Sequence, residues 1–151
     1  MISERIKREL EKILCELELD AVMITDRYNM RYIASYRGEG VILYTNTAKY
    51  VLTDSRYTEQ VERECEGYEC VDIAGIGYAG NVRQILEKIK KPGIKVRVGF
   101  ENFSIGYRDY SEYNEKVDCA EFISVDGRLD AIREVKTDEE IEKLRTAESI
   151  G

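Results

Sequence analysis

The sequence predicts one α/β domain, built on a mixed, mostly parallel sheet with one hairpin and with helices on both faces. Short apolar runs typical of strands alternate along the chain with segments of helical periodicity, which is the pattern of an α/β sandwich. Two of the strands are joined only by the turn Thr45–Thr47, so they form an antiparallel hairpin and make the sheet mixed. A chain of 151 residues is long enough for a single domain with a buried core.

The first half of the chain begins with an amphipathic helix. Its apolar residues recur at spacings of three and four, and Ser3 is placed to cap it. Asp26 can cap a second, shorter helix, which leads into a glycine-containing loop with Tyr36 and Arg37 at its tip. The predicted elements are a helix over Ser3–Leu17, a strand over Ala21–Ile24, a helical turn through Ile33, a loop over Ser35–Gly40, and strands over Val41–Tyr44 and Lys49–Thr53.

The stretch Tyr50–Val61 organises the middle of the chain. It starts as a strand, turns at Thr53–Ser55 and continues as a helix for which Asp54 is a suitable N-cap. Arg56 and Tyr57 therefore lie at a strand-to-helix corner, the kind of place where open α/β sheets bind ligands. The alternative interpretation is structural, with Arg56 paired to a nearby carboxylate and Tyr57 packed beneath the helix.

The second half of the chain continues the alternation of strands and helices. Tyr107, Tyr110 and Tyr113 recur three apart, which is typical of packing within a core or an interface. Thr137 and Glu140 form a capping box for a last helix. The predicted elements are strands over Tyr68–Ile73, Val96–Glu101 and Ala120–Val125, helices over Asn81–Lys90 and Ser104–Glu115, a segment Asp130–Glu134 that leads out of the last strand, and the helix after Thr137.

Composition narrows the possible functions. A net charge of −7 argues against a nucleic-acid partner, and no apolar run is long enough to cross a membrane. The N-terminus lacks the apolar centre of a signal peptide, so we expect a cytoplasmic protein with four reduced, buried cysteines, the alternative being a Cys65–Cys70 disulfide. The chain contains no histidine. Serine–histidine and cysteine–histidine catalysis are thus excluded within it, and most zinc sites are disfavoured.

The segment Gly75–Gly80 matches the dinucleotide-binding pattern G-x-G-x-x-G, and Glu101 follows about twenty residues later. A capping box formed by Asn81 and Gln84 predicts, however, that the helix starts after all three glycines. In a dinucleotide fold the glycines straddle the helix start, where amide groups point at the pyrophosphate. This favours a flexible connection, and a small dinucleotide-binding module remains the alternative function.

Several motifs, in order and at suitable spacing, resemble the N-terminal domain of the creatinase, aminopeptidase P and prolidase family, the pita-bread metallopeptidases. The ordered set of motifs spans nearly the whole chain. Ala34-Ser35-Tyr36 departs from the family's usual T-G-F. The matching segments are Asn29 with Tyr32 and Ile33 for N-x-x-Y-h, Leu52–Tyr57 for L-T-D-x-R-Y, Val98–Glu101 for I-G-F-E, and Ile132–Ala147 for the connector R-x-x-K-[ST]-x-x-E-I-x-x-L-R-x-A.

The resemblance implies a ribonuclease-H-like N-terminal domain over residues 1–131. Residues 132–151 would be a connector and the start of an exit helix toward a C-terminal catalytic domain. In this family that second domain holds two divalent metal ions, expected to be manganese or cobalt, which activate water. The parent protein is then expected to be an Xaa-Pro dipeptidase or aminopeptidase, with a creatine-like substrate as the other possibility, whereas this chain alone would be inactive.

The resemblance also implies a role for the present domain. In the family, the N-terminal domain of one subunit commonly reaches the active site of its partner, so a homodimer, a proline-containing peptide substrate and the chain's own catalytic domain are the expected partners. Tyr36 and Arg37 are the first candidates for substrate contact, since an arginine can hold a carboxylate bidentately and a tyrosine can wall a pocket. Arg56 and Tyr57 are the second candidates.

Overall fold

The computed structural model describes residues 4–125 and 127–134. Within them lie six strands and six α-helices, and a short 3₁₀ turn precedes the third helix. The strands are β1 Ala21–Ile24, β2 Val41–Thr45, β3 Lys49–Thr53, β4 Glu69–Asp72, β5 Val96–Phe100 and β6 Ala120–Ser124. The helices are α1 Glu4–Glu16, α2 Arg27–Ala34, α3 Thr58–Glu64, α4 Gly77–Ile89, α5 Tyr107–Lys116 and α6 Arg128–Glu134.

The strands form a single mixed sheet in the order β4-β3-β2-β1-β5-β6. β2 pairs antiparallel with both β1 and β3, while β1–β5, β5–β6 and β3–β4 are parallel pairs. Five strands therefore run in one direction and β2 alone runs in the other. The predicted β2–β3 hairpin and the mostly parallel sheet are confirmed, and the second antiparallel pairing, between β1 and β2, is an addition that the sequence did not predict.

Two cores cover the two faces of the sheet, as predicted. Because side chains alternate along a strand, Val22 and Ile24 face one core while Ala21 and Met23 face the other. The first core packs α1, α2, α3 and α6 against the sheet, and the second packs α4 and α5. β1 and β2 are buried at every position, which is why both appear in the sequence as continuous apolar runs.

Three predicted boundaries change in the structure. α4 begins at Gly77, so Asn81 lies inside the helix and the predicted Asn81–Gln84 capping box is wrong. α5 begins at Tyr107 rather than Ser104, and of its three tyrosines Tyr113 is buried while Tyr107 is 86% exposed. The segment after Gly127 is a packed helix, α6. The predicted capping box of Thr137 and Glu140, and the cap at Ser3, lie outside the described residues.

Two further expectations concern the state of the four cysteines and the absence of a helix that could cross a membrane. All four thiols are free, and Cys65 and Cys119 are buried. Cys15 is exposed and Cys70 is half-buried, so the expectation of four buried cysteines is wrong at these two positions. Burial raises the pKa of the Cys65 thiol to about 12, which keeps it protonated at neutral pH. None of the described helices combines the length and apolarity that crossing a bilayer requires.

Candidate functional site

The candidate site lies at the carboxyl edge of the sheet, which we define as the edge where β1, β3, β4, β5 and β6 end. Since β2 runs the other way, its first residue and the loop before it lie at the same edge. The topology therefore gathers the Tyr36–Gly40 loop, the Asp54–Tyr57 corner and Glu101 at one side of the domain. Ligands of open α/β sheets bind outside the carboxyl ends of strands.

The loop that carries Arg37 is anchored by Tyr36. The Tyr36 side chain is 1% exposed, and its hydroxyl donates to the Glu39 carbonyl over 2.5 Å and lies 3.1 Å from Thr53 Oγ1. Thr53, also buried, donates to the same carbonyl over 2.5 Å. Burial raises the pKa of Tyr36 to about 12, so it stays a neutral hydrogen-bonding group. The expectation that Tyr36 lies exposed at the loop tip is therefore wrong, and of the predicted pair only Arg37 is exposed.

The corner after β3 forms as predicted. The Asp54 carboxylate accepts a hydrogen bond from the Arg56 amide at 2.9 Å, which makes it the N-cap of the 3₁₀ turn Ser55–Tyr57. Arg56 Nε also lies 3.1 Å from Asp54 Oδ1, and its guanidinium lies 5.6 Å from the centre of the Tyr57 ring. The backbone and side-chain hydrogen bonds from Arg56 lower the pKa of Asp54. Arg56 is thus paired locally, as the structural interpretation expected.

Gly38 lies between the two predicted pairs of site residues, Tyr36–Arg37 and Arg56–Tyr57. A Cβ atom added to Gly38 would lie 2.5 Å from the Tyr36 hydroxyl oxygen and 2.8 Å from Tyr57 Cδ1. The backbone at Gly38 therefore passes directly between the two rings. The structure thus brings the Tyr36–Arg37 loop into contact with the Arg56–Tyr57 corner, although about twenty positions separate them in the sequence.

Replacing Gly38 with alanine is expected to lower the free energy of unfolding by about 1–3 kcal/mol, because the added methyl group overpacks a site where Tyr36 is held by hydrogen bonds. Urea unfolding followed by circular dichroism measures this. Gly106→Ala is the matched control: nothing lies within 4 Å of a Cβ there and φ is −70°, so we expect a change below about 1 kcal/mol. Equal losses in the two variants would contradict the prediction.

A buried carboxylate, Glu101, connects the other elements at this edge. Its Oε1 accepts from the backbone amides of Thr25 at 2.8 Å and Asp26 at 3.0 Å, and its Oε2 accepts from Asn29 Nδ2 at 2.6 Å. Glu101 is 1% exposed and Asn29 fully buried. Burial raises the pKa of Glu101, with the three hydrogen bonds acting in the opposite direction. This network ties the start of α2 to the end of β5.

The same network reaches α6 through Asp130. Asn29 Nδ2 lies 3.0 Å from Asp130 Oδ1, and Arg133 donates to that oxygen over 3.2 Å. Asn29 Oδ1 is buried without a hydrogen-bond partner among the described residues. In the sequence, Asn29 and Glu101 belong to separate motifs, and no local pattern connects them. Their one local signal is that each is a polar residue beside apolar core positions.

Asp26, Glu101 and Asp130 place carboxylate oxygens within 4.8 Å of one another, which is a spacing that a metal ion could bridge. Their hydrogen bonds argue against such a use. Both oxygens of Glu101 already accept from amide donors, and the Asn29 amide nitrogen lies between Glu101 and Asp130. The cluster is therefore a hydrogen-bonded link between elements, and its residues do not fit a centre of two bridged metal ions.

Arginines line two adjoining clefts beside the Arg37 loop, which we name the arginine clefts. The first, of about 350 Å³, contains Arg27, Arg31 and Arg37, with Tyr28 and Tyr36 in its wall. The second, of about 540 Å³, contains Arg31, Arg37 and Arg63 together with Glu64. Arg37 thus lies in a concave, positively charged part of the surface. Arg56 and Tyr57 line neither cleft, so the structure separates the roles of the two predicted pairs.

The glycine-rich segment Gly75–Gly80 requires a correction. Because α4 begins at Gly77, the glycines do straddle the helix start, contrary to the sequence-based expectation. The topology nevertheless argues against a dinucleotide-binding unit, in which the strands before and after the helix are neighbours. Here the strand before α4 is β4 and the strand after it is β5, and β3, β2 and β1 lie between them.

Comparisons with known proteins agree with this fold. The described sheet and helices are similar to the Xaa-Pro dipeptidase of Bacillus anthracis, with a TM-score of 0.75 and 34% identity over 92% of this chain and 38% of that protein. They are also similar to the X-Pro aminopeptidase of Thermotoga maritima MSB8, with a TM-score of 0.76 and 24% identity over 93% of this chain and 39% of that protein. The latter likeness concerns the fold alone.

Sequence comparison gives the same result. The chain is 29% identical over 144 residues to the uncharacterized peptidase YqhT of Bacillus subtilis (strain 168), covering 95% of this chain and 39% of YqhT. It therefore spans about two fifths of the length of the relatives named here. The creatinase/prolidase N-terminal domain family matches residues 5–135. On this match, and on the shared mixed sheet, the chain belongs to the creatinase/prolidase N-terminal domain family.

Proposed function

We propose that the chain is the non-catalytic N-terminal domain of an Xaa-Pro dipeptidase- or aminopeptidase-type metallopeptidase. Its family membership supports this, as do relatives that are peptidases more than twice its length. The absence of histidine from the chain agrees with a catalytic centre located elsewhere. In this proposal residues 1–131 form the domain and residues 132–151 lead to the catalytic domain, with the boundary falling inside α6, whose Ile132 is buried.

The hydrolytic chemistry belongs to the parent protein in this proposal. Two divalent metal ions, manganese or cobalt, would supply an activated water in the catalytic domain. The residues of the present chain do not fit that centre, as the hydrogen bonds of Glu101 indicate, and we assign them no catalytic step. The proposed roles of this chain are to shape access of a proline-containing peptide and to contribute to a homodimer in the cytoplasm.

The observation that carries the proposed role is the exposed position of Arg37 in a concave, arginine-lined surface at the carboxyl edge. A guanidinium can hold a peptide carboxylate with two parallel hydrogen bonds. Tyr36 keeps its place in this proposal as the wall and anchor of the loop. Arg56 and Tyr57 are proposed to support the same loop through Gly38, since their corner contacts it and Arg56 is already paired with Asp54.

The assignment is tested by comparing this chain with the same chain extended by its native downstream segment. Both are assayed for hydrolysis of Xaa-Pro dipeptides and longer Xaa-Pro peptides with added manganese or cobalt. We expect activity only in the extended protein, because the metal ligands lie in the added part. Hydrolysis by residues 1–151 alone, or none by the extended protein, would contradict the proposal.

The role of Arg37 is tested in the extended protein by Arg37→Ala. Loss of a charged hydrogen-bonding partner of the substrate should lower kcat/KM by about tenfold to a hundredfold. Arg37→Lys should recover only part of this, since an ammonium cannot form the bidentate pair. Arg108→Ala, an exposed arginine on α5 outside the arginine clefts, is the control and should leave kcat/KM within about twofold. An unchanged kcat/KM for Arg37→Ala would contradict the proposed contact.

A further inference from the structure

The arginine clefts hold more positive charge than contact with one carboxylate requires. Arg27, Arg31, Arg37 and Arg63 are all exposed, and the two clefts share Arg31 and Arg37. Glu64 is the only carboxylate in their lining, and Gln60 Nε2 holds it by bonds of 2.8 and 3.3 Å to its two oxygens. The clefts thus form a strongly cationic patch on a chain whose net charge is −7.

None of the four cleft arginines forms an ion pair with a carboxylate in the part of the chain that the structure describes. Arg27 instead donates to the Tyr28 hydroxyl over 3.0 Å. Acidic residues outnumber basic ones in this chain, 30 to 23, so potential partners are plentiful. Several arginines elsewhere in the domain do pair with a carboxylate. The paired arginines are Arg56, Arg83, Arg97, Arg128 and Arg133.

Keeping these charges together has a cost within the domain. Arg27 and Arg31 are four residues apart on α2, a spacing at which like charges destabilise a helix. The cleft cations are all arginines and none is a lysine, which suits bidentate binding of anionic oxygens. A cluster of like charges that has no paired carboxylate among the described residues is typical of a binding site for anions.

We propose that the two arginine clefts together bind a small ligand with two anionic groups, one group in each cleft. Arg31 and Arg37 would contact both groups, Arg27 would contact only the group in the first cleft, and Arg63 only the group in the second. Diphosphate compounds and short peptides with two side-chain carboxylates share this chemistry. The site is a property of this chain alone, so it does not depend on the proposed peptidase function.

The test is calorimetric titration of this chain, at about 50 mM salt, with pyrophosphate, inorganic phosphate and N-acetyl-glutamyl-glutamate amide, a blocked dipeptide whose only carboxylates are its two side chains. Pyrophosphate or the dipeptide, or both, should bind at least about tenfold more tightly than phosphate, because only they can occupy both clefts. The comparison of the two also identifies the source of the anionic groups. Binding should weaken as salt is raised. No saturable binding, or equal affinity for phosphate and the two-group ligands, would overturn the proposal.

Single arginine substitutions test whether each anionic group of the ligand binds in its own cleft. Arg27→Gln and Arg63→Gln should each weaken binding of the two-group ligand by about tenfold, and Arg31→Gln by more, because it serves both clefts. Arg108→Gln removes one positive charge elsewhere and is the matched control, with an expected change below about twofold. All of these side chains are exposed, so the variants should fold, which circular dichroism verifies. Equal losses in Arg108→Gln and Arg31→Gln would mean non-specific attraction and would overturn the assignment.

Discussion

Replacing Glu101 with alanine is expected to lower the free energy of unfolding by about 3–4 kcal/mol. The substitution removes the acceptor of three hydrogen bonds, from the Thr25 and Asp26 amides and from Asn29 Nδ2. Because Glu101 is 1% exposed, it also leaves a cavity that the surrounding strands cannot fill. Urea unfolding of the wild-type and variant chains, followed by circular dichroism, measures the loss.

Glu101→Gln removes the negative charge of the side chain and keeps nearly the same shape, so it separates the effects of these two properties on stability. A glutamine can still accept from the two backbone amides, but its own amide group would face Asn29 Nδ2, so we expect a smaller loss of about 1–3 kcal/mol at neutral pH. Glu121→Ala, an exposed carboxylate on β6, is a control for removing a negative charge, and its effect should stay within about 1 kcal/mol. A loss in Glu101→Ala no larger than in this control would contradict the role of the network.

The pH dependence of the Glu101 contribution has a definite sign. Burial raises the pKa of Glu101 above its ordinary value of 4.5, so the folded chain binds the proton more readily than the unfolded chain does. The part of the stability that comes from proton binding is therefore fully present below about pH 4.5 and is lost as the pH rises through the folded-state pKa. The stability advantage of the wild type over Glu101→Gln should shrink from pH 4 to pH 8. An advantage that grows with pH would contradict the direction of the shift.

Replacing Tyr36 with alanine is expected to cost about 3–5 kcal/mol of unfolding free energy, the usual range for truncating a buried aromatic residue. The ring anchors the loop against β3, and its hydroxyl contacts both the Glu39 carbonyl and Thr53 Oγ1. Tyr36→Phe keeps the ring and should cost only about 1–1.5 kcal/mol, because Thr53 still donates to the Glu39 carbonyl.

Tyr107→Ala provides the matched control for the Tyr36 variants. It removes the same side chain from a position that is 86% exposed, so the free energy of unfolding should change by less than about 0.5 kcal/mol. In the extended protein, Tyr36→Phe should retain most of the activity while Tyr36→Ala should lose it together with Arg37, whose loop it anchors. Similar unfolding energies for Tyr36→Ala and Tyr107→Ala would show that Tyr36 is not the anchor.

Features that depend on neighbouring residues could be predicted from the sequence. The strands β1 and β2, the hairpin and the Asp26 and Asp54 caps follow from side-chain periodicity and cap chemistry within a few positions. The start of α4 could not. The capping-box pattern at Asn81 and Gln84 loses to packing, because starting the helix at Gly77 buries Ala79 on the same face as Val82 and Ile85. Asn81 then uses its side chain inside the helix, donating to the Gly77 carbonyl over 2.7 Å.

In the candidate site, too, local features could be predicted from the sequence, and contacts between distant residues could not. The sequence identified the Arg37 loop and the Arg56–Tyr57 corner as separate candidates, and it also supplied the family resemblance. It did not predict that Tyr36 is buried, because the burial arises from contact with Thr53 at the far end of the hairpin. The arginine clefts were likewise not predicted, since they combine side chains from α2, the loop and α3.

The amino-acid sequence by itself determined the α/β class, the order and approximate bounds of the strands, and the family, because each depends on residues close together in the chain or on ordered motifs. The tertiary structure alone decided that Asn29, Glu101 and Asp130 form one hydrogen-bonded network, and that three other arginines lie beside Arg37. Asn29 lies 72 positions from Glu101 and 101 positions from Asp130. Contacts across such separations are set by the order and direction of the strands, which no local pattern of residues encodes.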